Sequence, residues 1–296
     1  MKKIILTVVF LIGVNFAFSQ NTEQENLKKN EESIKLHAQD KPNGWIKKGI
    51  FTFLANQATF NNWLAGGQSN ISGNIGVNYD FNYKYNDWNW DNKFIGAYGL
   101  TKIKDAQTQK TDDRIEWNSL LGKKAFGNWY YSAFFNGKTQ MDSGFDKTSG
   151  VKTTHAFSPT FLQFGPGMLW KKSDNLKVNI APATSKLIFV DKDFTVLGSS
   201  FGVQQGRTSR YEFGAALNSY YKFNVMENVG VENILNFYSN YLDKPQNVDI
   251  DYQLNIILKV NKYLSTNFAF QTIYDDNAFS GFQTRQVIGI GVNYGF

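Results

Sequence analysis

The residues that could support catalysis are the two histidines with nearby serines and carboxylates. His155 lies close to Ser158 and downstream of Asp142 and Asp146, so a Ser, His and Asp set can be written down. The surrounding segment is rich in Gly, Ser, Thr and Lys, which favours a mobile loop over a fixed triad. His37 lies in a polar stretch near the N-terminus. We therefore expect no enzymatic activity.

Acidic pairs and one glycine pair are the remaining candidate sites. Asp191 with Asp193, and Asp275 with Asp276, offer carboxylates to a divalent cation, but neither run has the ligand number of a known calcium loop. No helix start follows the Gly66–Gly67 pair, which therefore indicates a turn and not a phosphate-binding loop. The sequence predicts no metal site and no cofactor.

The elements that would position these residues are strands that alternate apolar and polar side chains, as in Ser69–Tyr85 and Asp249–Lys259. A soluble sandwich also alternates, but its strands usually have roughly five or six residues, and these segments are commonly longer. The pattern predicts a transmembrane, antiparallel, up-and-down β-barrel of about twelve strands. The predicted strands are Trp45–Asn56, Ser69–Tyr85, Trp88–Thr101, Arg114–Leu121, Trp129–Gln140, Thr160–Trp170, Leu176–Phe189, Arg210–Phe223, Val229–Phe237, Val248–Val260, Leu264–Tyr274 and Gln283–Phe296.

The connections between these segments alternate between short and long. Short turns such as Asn86 with Asp87 alternate with long segments such as Met141–Pro159 and Val190–Ser209, which is typical of periplasmic turns and external loops. Aromatic residues cluster beside the short turns, as a membrane-interface belt requires. An even strand number would leave both termini on the periplasmic side.

The N-terminus has the three-part layout of a secretory signal. Lys2 and Lys3 precede the apolar run Ile4–Val14, and small residues before Gln20 predict cleavage between Ser19 and Gln20. No later stretch is apolar and long enough for a membrane-spanning helix. We divide the chain into a signal peptide at 1–19, a polar periplasmic lead at 20–44 and the barrel at 45–296.

The last strand ends in a row of apolar residues on one face, closed by an aromatic terminus. Gly291, Tyr294 and Phe296 are similar to the C-terminal signal recognised by the barrel assembly machinery. This predicts the cell outer membrane as the location, with its lipid and the assembly machinery as partners. The formal charge of +6 is spread along the chain without a basic stripe, so we expect no nucleic-acid partner.

The inward faces of the predicted strands carry charges of both signs in nearly equal number. Such charges can pair and close the barrel, or they can line a water-filled pore, and the sequence does not separate the two outcomes. The lumen-facing candidates are Asp91, Lys93, Arg114, Glu116, Lys138, Glu212, Glu232, Asp251 and Arg285.

A family resemblance rests on one set of residues, which are Trp63, Leu64, Ala65, Gly66, Gly67, Asn70, Trp129 to Ser132, Thr139, Gln140, Ser158, Pro159, Ala181 and Pro182. By these residues the chain resembles a family of Bacteroidota proteins catalogued as domain of unknown function 3078. The resemblance runs from about Trp45 to the C-terminus. It implies an outer-membrane barrel from that phylum and transfers no catalytic residues.

Three functions remain open at this point. The first is a porin-like barrel that passes small hydrophilic solutes, which the Asn-rich and charge-balanced inner faces favour. The second is a non-enzymatic structural or interaction component whose long loops contact an envelope protein. The third, less favoured, is a lipid-directed hydrolase that uses His155 as its base.

Overall fold

The computed structural model describes residues 43–59, 69–106, 108–146, 149–261 and 264–295. The predicted signal peptide with Ser19 and Gln20, the polar lead up to residue 42, the Trp63–Gly67 motif and Phe296 lie outside these residues. Gly44, the last residue of the predicted lead, begins β1. No helix in the described part of the chain is long and apolar enough to cross a membrane. The strands are β1 Gly44–Ala58, β2 Asn70–Tyr85, β3 Trp88–Ile103, β4 Gln109–Phe126, β5 Trp129–Thr139, β6 Gly144–Phe145, β7 Lys152–Thr154, β8 Thr160–Ser173, β9 Leu176–Phe189, β10 Ser209–Met226, β11 Val229–Asn240, β12 Val248–Lys259, β13 Leu264–Asp275 and β14 Phe279–Gly295.

Within the described ranges, twelve of these strands close into one antiparallel barrel, which confirms the predicted fold class. Each barrel strand pairs with its sequence neighbours, with two exceptions. β5 pairs with β8, because β6 and β7 form a separate hairpin between them, and β1 pairs with β14 to close the barrel. That hairpin lies within the predicted long loop Met141–Pro159. A closed barrel satisfies the backbone hydrogen bonds of every strand and leaves no free edge.

The barrel has two different ends. At one end, which we call the turn end, neighbouring strands are joined by tight turns such as Asn86–Asp87 and Gly127–Asn128. Asn86 (φ 50°) and Gly127 (φ 52°) adopt the left-handed conformation that two-residue hairpins need. The other end, the loop end, carries residues 140–159, 190–208 and 241–247. Two loop-end connections, 104–108 and 276–278, are shorter than predicted because β4 and β14 begin earlier.

The outer face of the wall is apolar and exposed. Phe51 and Phe53 on β1 face outward beside Ile75 on β2, and all three are exposed. At the turn end, the Trp45 ring lies 5.0 Å from that of Tyr83 and 5.9 Å from that of Trp90, centroid to centroid. Contiguous exposed apolar surface of this kind requires an apolar partner, and aromatic clusters at its edge suit a membrane interface.

The seam that closes the barrel joins β1 to β14. Ile50 to Ala55 pair with Gly295 to Ile290, so that Phe51 lies opposite Tyr294 on the outer face. Gly291 faces the lumen, where a Cβ would overlap the carbonyl oxygen of Phe53 and crowd the Leu54 side chain. Only a glycine allows the two strands to approach this closely. Gly291 therefore has a packing role in the wall, whatever its part in assembly.

Small apolar clusters lie among the polar residues of the interior. Phe134, Ala181, Ala216 and Tyr238 form one cluster, and partly buried Leu120 packs against it. A second cluster of Ile188, Val190 and Val203 lies at the loop end of β9 and under the 190–208 loop. Most of the other buried side chains in the interior are polar or charged, and a few, such as Ile95 and Leu169, are apolar.

Candidate functional site

The polar lumen is the candidate site, and its turn end is a three-strand ion cluster. Asp91 on β3 accepts hydrogen bonds from Lys171 Nζ on β8 at 3.0 Å and from Lys177 Nζ on β9 at 2.8 Å. The Lys177 ammonium also lies 5.3 Å from the centroid of the Tyr220 ring. One carboxylate thus holds two ammonium groups from strands that do not adjoin its own.

The next level of the lumen contains an ion pair that reaches across the whole barrel. Lys93 Nζ on β3 donates to Glu232 Oε1 on β11 at 2.6 Å. In the strand order, β3 and β11 are separated by five strands in either direction, so the pair joins opposite walls. Tyr220 donates its hydroxyl to the same Glu232 oxygen at 2.9 Å, and Lys93 lies over its ring. Side chains from opposite walls therefore meet inside the lumen.

A second contact across the barrel lies nearer the loop end. Arg114 Nη1 on β4 donates to Gln253 Oε1 on β12 at 3.0 Å, and these strands are also opposite in the order. Glu116 lies beside Arg114 with 1% of its surface exposed, and its Oε1 accepts from Asn118 Nδ2 at 2.8 Å. The lumen is thus bridged at two levels by direct contacts between facing walls.

The loop end contains three further groups of ion pairs. Lys138 on β5 pairs with Asp251 on β12, and Arg285 on β14 pairs with Asp112 on β4. A larger group surrounds the ammonium of Lys186, which lies 2.7 Å from Asp249, 3.3 Å from Asp275 and 3.5 Å from Glu212, while Arg210 Nε lies 2.7 Å from Glu212. The structure therefore brings all nine lumen-facing candidates into ion pairs or hydrogen bonds with other strands.

Several members of this network carried no clear sequence signal, and Lys186 shows why. The register of β9 shifts between its pairings with Gly214 and Ala216, because β9 contains an extra residue near Pro182. Before the shift Ile180 faces outward, and after it the even-numbered Lys186 and Ile188 face inward. A bulge reverses which alternate positions face the lumen, so strict alternation misplaces every residue that follows.

Among the described residues, one group of side chains could hold a metal ion, and it consists of acidic residues at the loop end. Carboxylate oxygens of Asp249, Asp275 and Asp276 lie within 4.8 Å of one another. Lys186 already contacts two of these carboxylates, and Asn247 Nδ2 donates to Asp276 at 2.6 Å. The protein's own ammonium group therefore supplies the positive charge in this cluster.

The candidate Ser, His and Asp set is arranged differently from a catalytic triad. His155 Nε2 lies 3.1 Å from Asp191 Oδ2, and its Nδ1 lies 2.8 Å from the carbonyl oxygen of Ala156. Ser158 Oγ instead accepts a hydrogen bond from the backbone N–H of Asp191 at 2.8 Å. Both ring nitrogens are thus engaged by groups other than the serine. The contacts link the 140–159 loop to the 190–208 loop.

The carboxylates expected near His155 have other partners. Asp142 accepts a hydrogen bond from the Tyr98 hydroxyl at 2.7 Å, and Asp146 accepts one from Ser149 Oγ at 2.8 Å. In the pair of Asp191 and Asp193, the backbone N–H of Asp193 and the His155 ring hold the pKa of the Asp191 carboxyl below its ordinary value. These are structural contacts within and between loops.

Comparison with known families gives one match. Residues 55–145 match the model of the family described as Protein of unknown function (DUF3078). The match covers Asn70 and the segments around Trp129 and Gln140 that carry the resemblance, and it ends before Ser158. No curated protein matches the chain.

Solved structures with a similar fold are barrels of low sequence identity. The translocator domain of autotransporter NalP from Neisseria meningitidis is 10% identical with a TM-score of 0.36, covering 93% of this chain and 98% of that one. Outer membrane phospholipase A from Escherichia coli is 10% identical with a TM-score of 0.36, covering 88% and 96%. The outer membrane channel DcaP of Acinetobacter baumannii is 9% identical with a TM-score of 0.31, covering 86% and 96%. At these TM-scores the likeness adds no argument about function.

Proposed function

We propose that this chain is an integral outer-membrane β-barrel with a closed lumen, which acts as a non-enzymatic interaction component through its loop end. The exposed apolar outer face supports contact with outer-membrane lipid, because lipid is the partner that covers an apolar wall on all sides. The signal cleavage between Ser19 and Gln20 and the terminal residues Gly291, Tyr294 and Phe296 belong to the same proposal, as the export and assembly signals. The termini and turn end then lie in the periplasm.

The observation that carries the proposal is the Lys93–Glu232 pair between opposite walls. A solute that passed through the lumen would have to separate these charges, together with the Tyr220 hydroxyl bonded to Glu232. The Asp91 cluster lies on the turn-end side of this level, and the Arg114–Gln253 contact lies on the loop-end side. Passage would therefore require several paired groups to separate.

A solute-flux experiment tests this proposal. The full-length mature chain, refolded into liposomes, is diluted into isotonic arabinose, and liposomes with an open bacterial porin provide the positive control. We expect swelling no faster than that of protein-free liposomes. Swelling at a rate comparable to the porin control would contradict the closed lumen.

The interaction role has its own test. Mild detergent extraction of cells followed by chemical crosslinking should recover the chain with an envelope protein in fixed stoichiometry. Shortening the 190–208 loop should abolish that complex and leave the barrel folded, because the loop lies outside the barrel hydrogen-bond ladder. Recovery of a monomer alone under all crosslinking conditions would contradict the interaction role.

A small-solute pore is the second candidate, and one observation favours it. Charged and amide side chains line the interior from the Asp91 cluster to the Arg285–Asp112 pair, and such a lining suits hydrophilic solutes. On this alternative, the ion pairs would separate in a second state of the barrel. Voltage-dependent opening of the wild-type chain in a planar bilayer would favour the pore over the closed barrel.

The proposal includes no catalytic activity. The engagement of both His155 ring nitrogens away from Ser158 supports this part of it. The test is an assay for phospholipid hydrolysis by the purified chain, with His155→Ala as the comparison variant. Hydrolysis by the wild type that is lost in His155→Ala would contradict the proposed absence of catalytic activity.

A further inference from the structure

Five lysines surround the opening of the lumen at the turn end, which we call the turn-end mouth. Each lies within four residues of the point where its strand reaches that end. Lys222 lies opposite lumen-facing Glu232. Lys48 lies opposite Asp80, and Asp80 lies opposite lumen-facing Lys93. We call this inward-facing group the lysine ring, and it consists of Lys48 on β1, Lys84 on β2, Lys124 on β4, Lys222 on β10 and Lys259 on β12.

The positive charge at the turn-end mouth exceeds the negative charge there. In the described part of the chain, the inward faces at this end carry eight lysines and three carboxylates. Two of the three carboxylates are already engaged, because Asp91 holds Lys171 and Lys177, and Glu232 holds Lys93. None of the ion pairs formed among the described residues includes a member of the lysine ring. The turns add three carboxylates, and three further lysines at this end balance them: Asp87, Asp174 and Glu227 against Lys47, Lys123 and Lys172.

The loop end has no such excess of positive charge. Its described residues carry twelve lysines and arginines and fourteen carboxylates, and many of them are joined in the ion pairs of the lumen. The two ends of the barrel therefore differ in the sign of their net charge. An anionic partner is attracted to the turn end and not to the loop end.

The shape of the turn-end mouth strengthens this attraction. The Lys93–Glu232 pair crosses the lumen behind the lysine ring, so the mouth is a concave surface closed toward the loop end. Like charges on a concave wall of low dielectric constant reinforce one another's potential and raise the local concentration of ions of opposite sign. Bound anions would also relieve the repulsion among the ring lysines.

The position of the lysine ring decides between kinds of anion. Lipid headgroups stay beside the outer wall, where their acyl chains lie, whereas the ring lysines face the lumen. A twelve-strand barrel with strands about 4.8 Å apart has a mouth on the order of 20 Å across. A single small anion therefore reaches only one or two of the five lysines. A flexible chain with many negative groups can contact most of them at once.

The chain's own lead is a poor match for this charge. Asn43, where the described chain begins, accepts a hydrogen bond from the backbone N–H of Asn86 in the first turn, so the lead joins the barrel at the turn end. Residues 20–42 contain five carboxylates and four lysines. The lead therefore does not supply the missing negative charge, and the partner must be another molecule.

We propose that the turn-end mouth binds an acidic polypeptide segment of another protein, with the lysine ring as its principal contact. Carboxylates along an extended chain, at about 3.3–3.6 Å per residue, reach several ring lysines at once. The inference adds a second interaction surface to the loop end, and it rests on the proposed function only for the side of the membrane. On that side the partner is a periplasmic or envelope protein.

The test is fluorescence anisotropy of a labelled peptide of about ten glutamates, which spans roughly 30 Å when extended. The full-length mature chain is held in nanodiscs of phosphatidylcholine, a lipid without net charge, so that both ends are accessible. We expect saturable binding that weakens steeply as salt is added, because exposed charges are screened. A peptide of alternating glutamate and lysine is the neutral comparison and should not bind. Absence of saturable binding of the acidic peptide at low salt would overturn the proposal.

A pair of double variants locates the binding. Lys84→Gln with Lys259→Gln removes two ring charges, and neither lysine has a charged residue opposite it in the adjoining strands. Lys47→Gln with Lys123→Gln removes two charges at the same end from the outer face, where Lys47 lies opposite Phe81 and Lys123 lies over the Trp88 ring. The first pair should weaken peptide binding roughly threefold to thirtyfold, as expected for two exposed ion pairs. The second pair should change it less than about twofold, and equal losses would overturn the assignment to the lysine ring.

Folding of each variant is checked first by heat-modifiable gel mobility. If the ring variant does not fold, Lys48→Gln with Lys222→Gln replaces it, with the same expected loss. Inorganic phosphate and phosphatidylglycerol vesicles are then added as competitors, and sodium chloride of equal ionic strength is the reference. We expect neither to displace the peptide more than sodium chloride does. Specific displacement by phosphate would indicate a small-anion site, and displacement by vesicles a lipid site, and either would overturn the polypeptide assignment.

This inference and the closed lumen can fail separately. A wild-type chain that conducts ions but binds the acidic peptide through the lysine ring would contradict the closed lumen and support the site at the mouth. A chain that does not conduct and does not bind the peptide would overturn the site and leave the closed lumen standing.

Discussion

The two ends of the lumen use the same residue types with different results. At the turn end, Asp91 holds both Lys171 and Lys177, and Lys93 meets Glu232 from the opposite wall. At the loop end, Lys138 and the Arg285–Asp112 pair line a cavity, and Glu116 Oε2 has no hydrogen-bond partner in the part of the chain that the structure describes. Whether charged side chains close the lumen thus depends on where along the barrel their ion pairs cross the lumen, and not on how many charges the strands carry.

The largest expected effect is the loss of the carboxylate at the turn end. Asp91→Asn leaves the partly buried Lys177 without its carboxylate and the buried Lys171 with only the exposed Asp174, which should destabilise the barrel by roughly 3–5 kcal/mol. Urea unfolding in detergent, followed by tryptophan fluorescence, measures the change. The matched control is Asp174→Asn, because Asp174 is an exposed partner of the same Lys171 at 3.1 Å and should cost at most about 1 kcal/mol. Equal effects of the two variants would show that the turn end is not a buried ion cluster.

The wall seam supplies the next test, since a closed lumen requires a closed wall. Gly291→Val places side-chain atoms against the Phe53 carbonyl and Leu54, and we expect a loss of roughly 1–3 kcal/mol from overpacking. Gly295→Ala is the control on the same strand, because a Cβ there has ordinary contacts at 3.8 Å. Unfolding curves and heat-modifiable mobility compare the two. An unchanged midpoint for Gly291→Val would contradict the close approach at the seam.

Removing a carboxylate at the loop end should matter less than removing Asp91. Among the described residues, Asp112 pairs with one cation, Arg285, whereas Asp91 holds two. Asp112→Asn should therefore cost less than Asp91→Asn, roughly 1–3 kcal/mol, measured by the same urea unfolding. A loss as large as that of Asp91→Asn would remove the difference between the two ends.

The smallest effect concerns the contact between the loops. The Asp193 backbone N–H and His155 lower the pKa of Asp191. The stabilisation that the Asp191 carboxylate gives to the contact between the loops is therefore present above the ordinary carboxyl pKa, and it is lost as the pH falls through the lowered value. Limited proteolysis of the 190–208 loop should therefore be slow near neutral pH and faster under strongly acidic conditions. Asp191→Asn should be cleaved faster at neutral pH, whereas Asp193→Asn, which keeps the donating backbone N–H, should behave like the wild type. A pH-independent cleavage rate would contradict this contact.

Local periodicity was enough to predict the twelve strands, because the alternation of side chains depends only on residues that are close in sequence. It was not enough to predict the pairs inside the barrel. Lys93 and Glu232 are separated by 139 positions and meet only because closure places β3 opposite β11. Lys186 was missed because the bulge near Pro182 reverses the faces of β9. The His155–Asp191 contact joins two loops whose conformations have no periodic signal.

Single-channel recording in planar bilayers tests the closed lumen most directly, with the wild type and the double variant Lys93→Ala with Glu232→Ala compared in the same lipid. The double variant removes both charges of the pair across the barrel without leaving an unpaired buried charge. The Asp91 cluster and the Arg114–Gln253 contact remain, so we expect brief, discrete conductance steps whenever these remaining contacts separate, and no steady open state. The wild type should show none over the same voltages and salt concentrations. A steady conductance in the wild type that the double variant leaves unchanged would contradict the account.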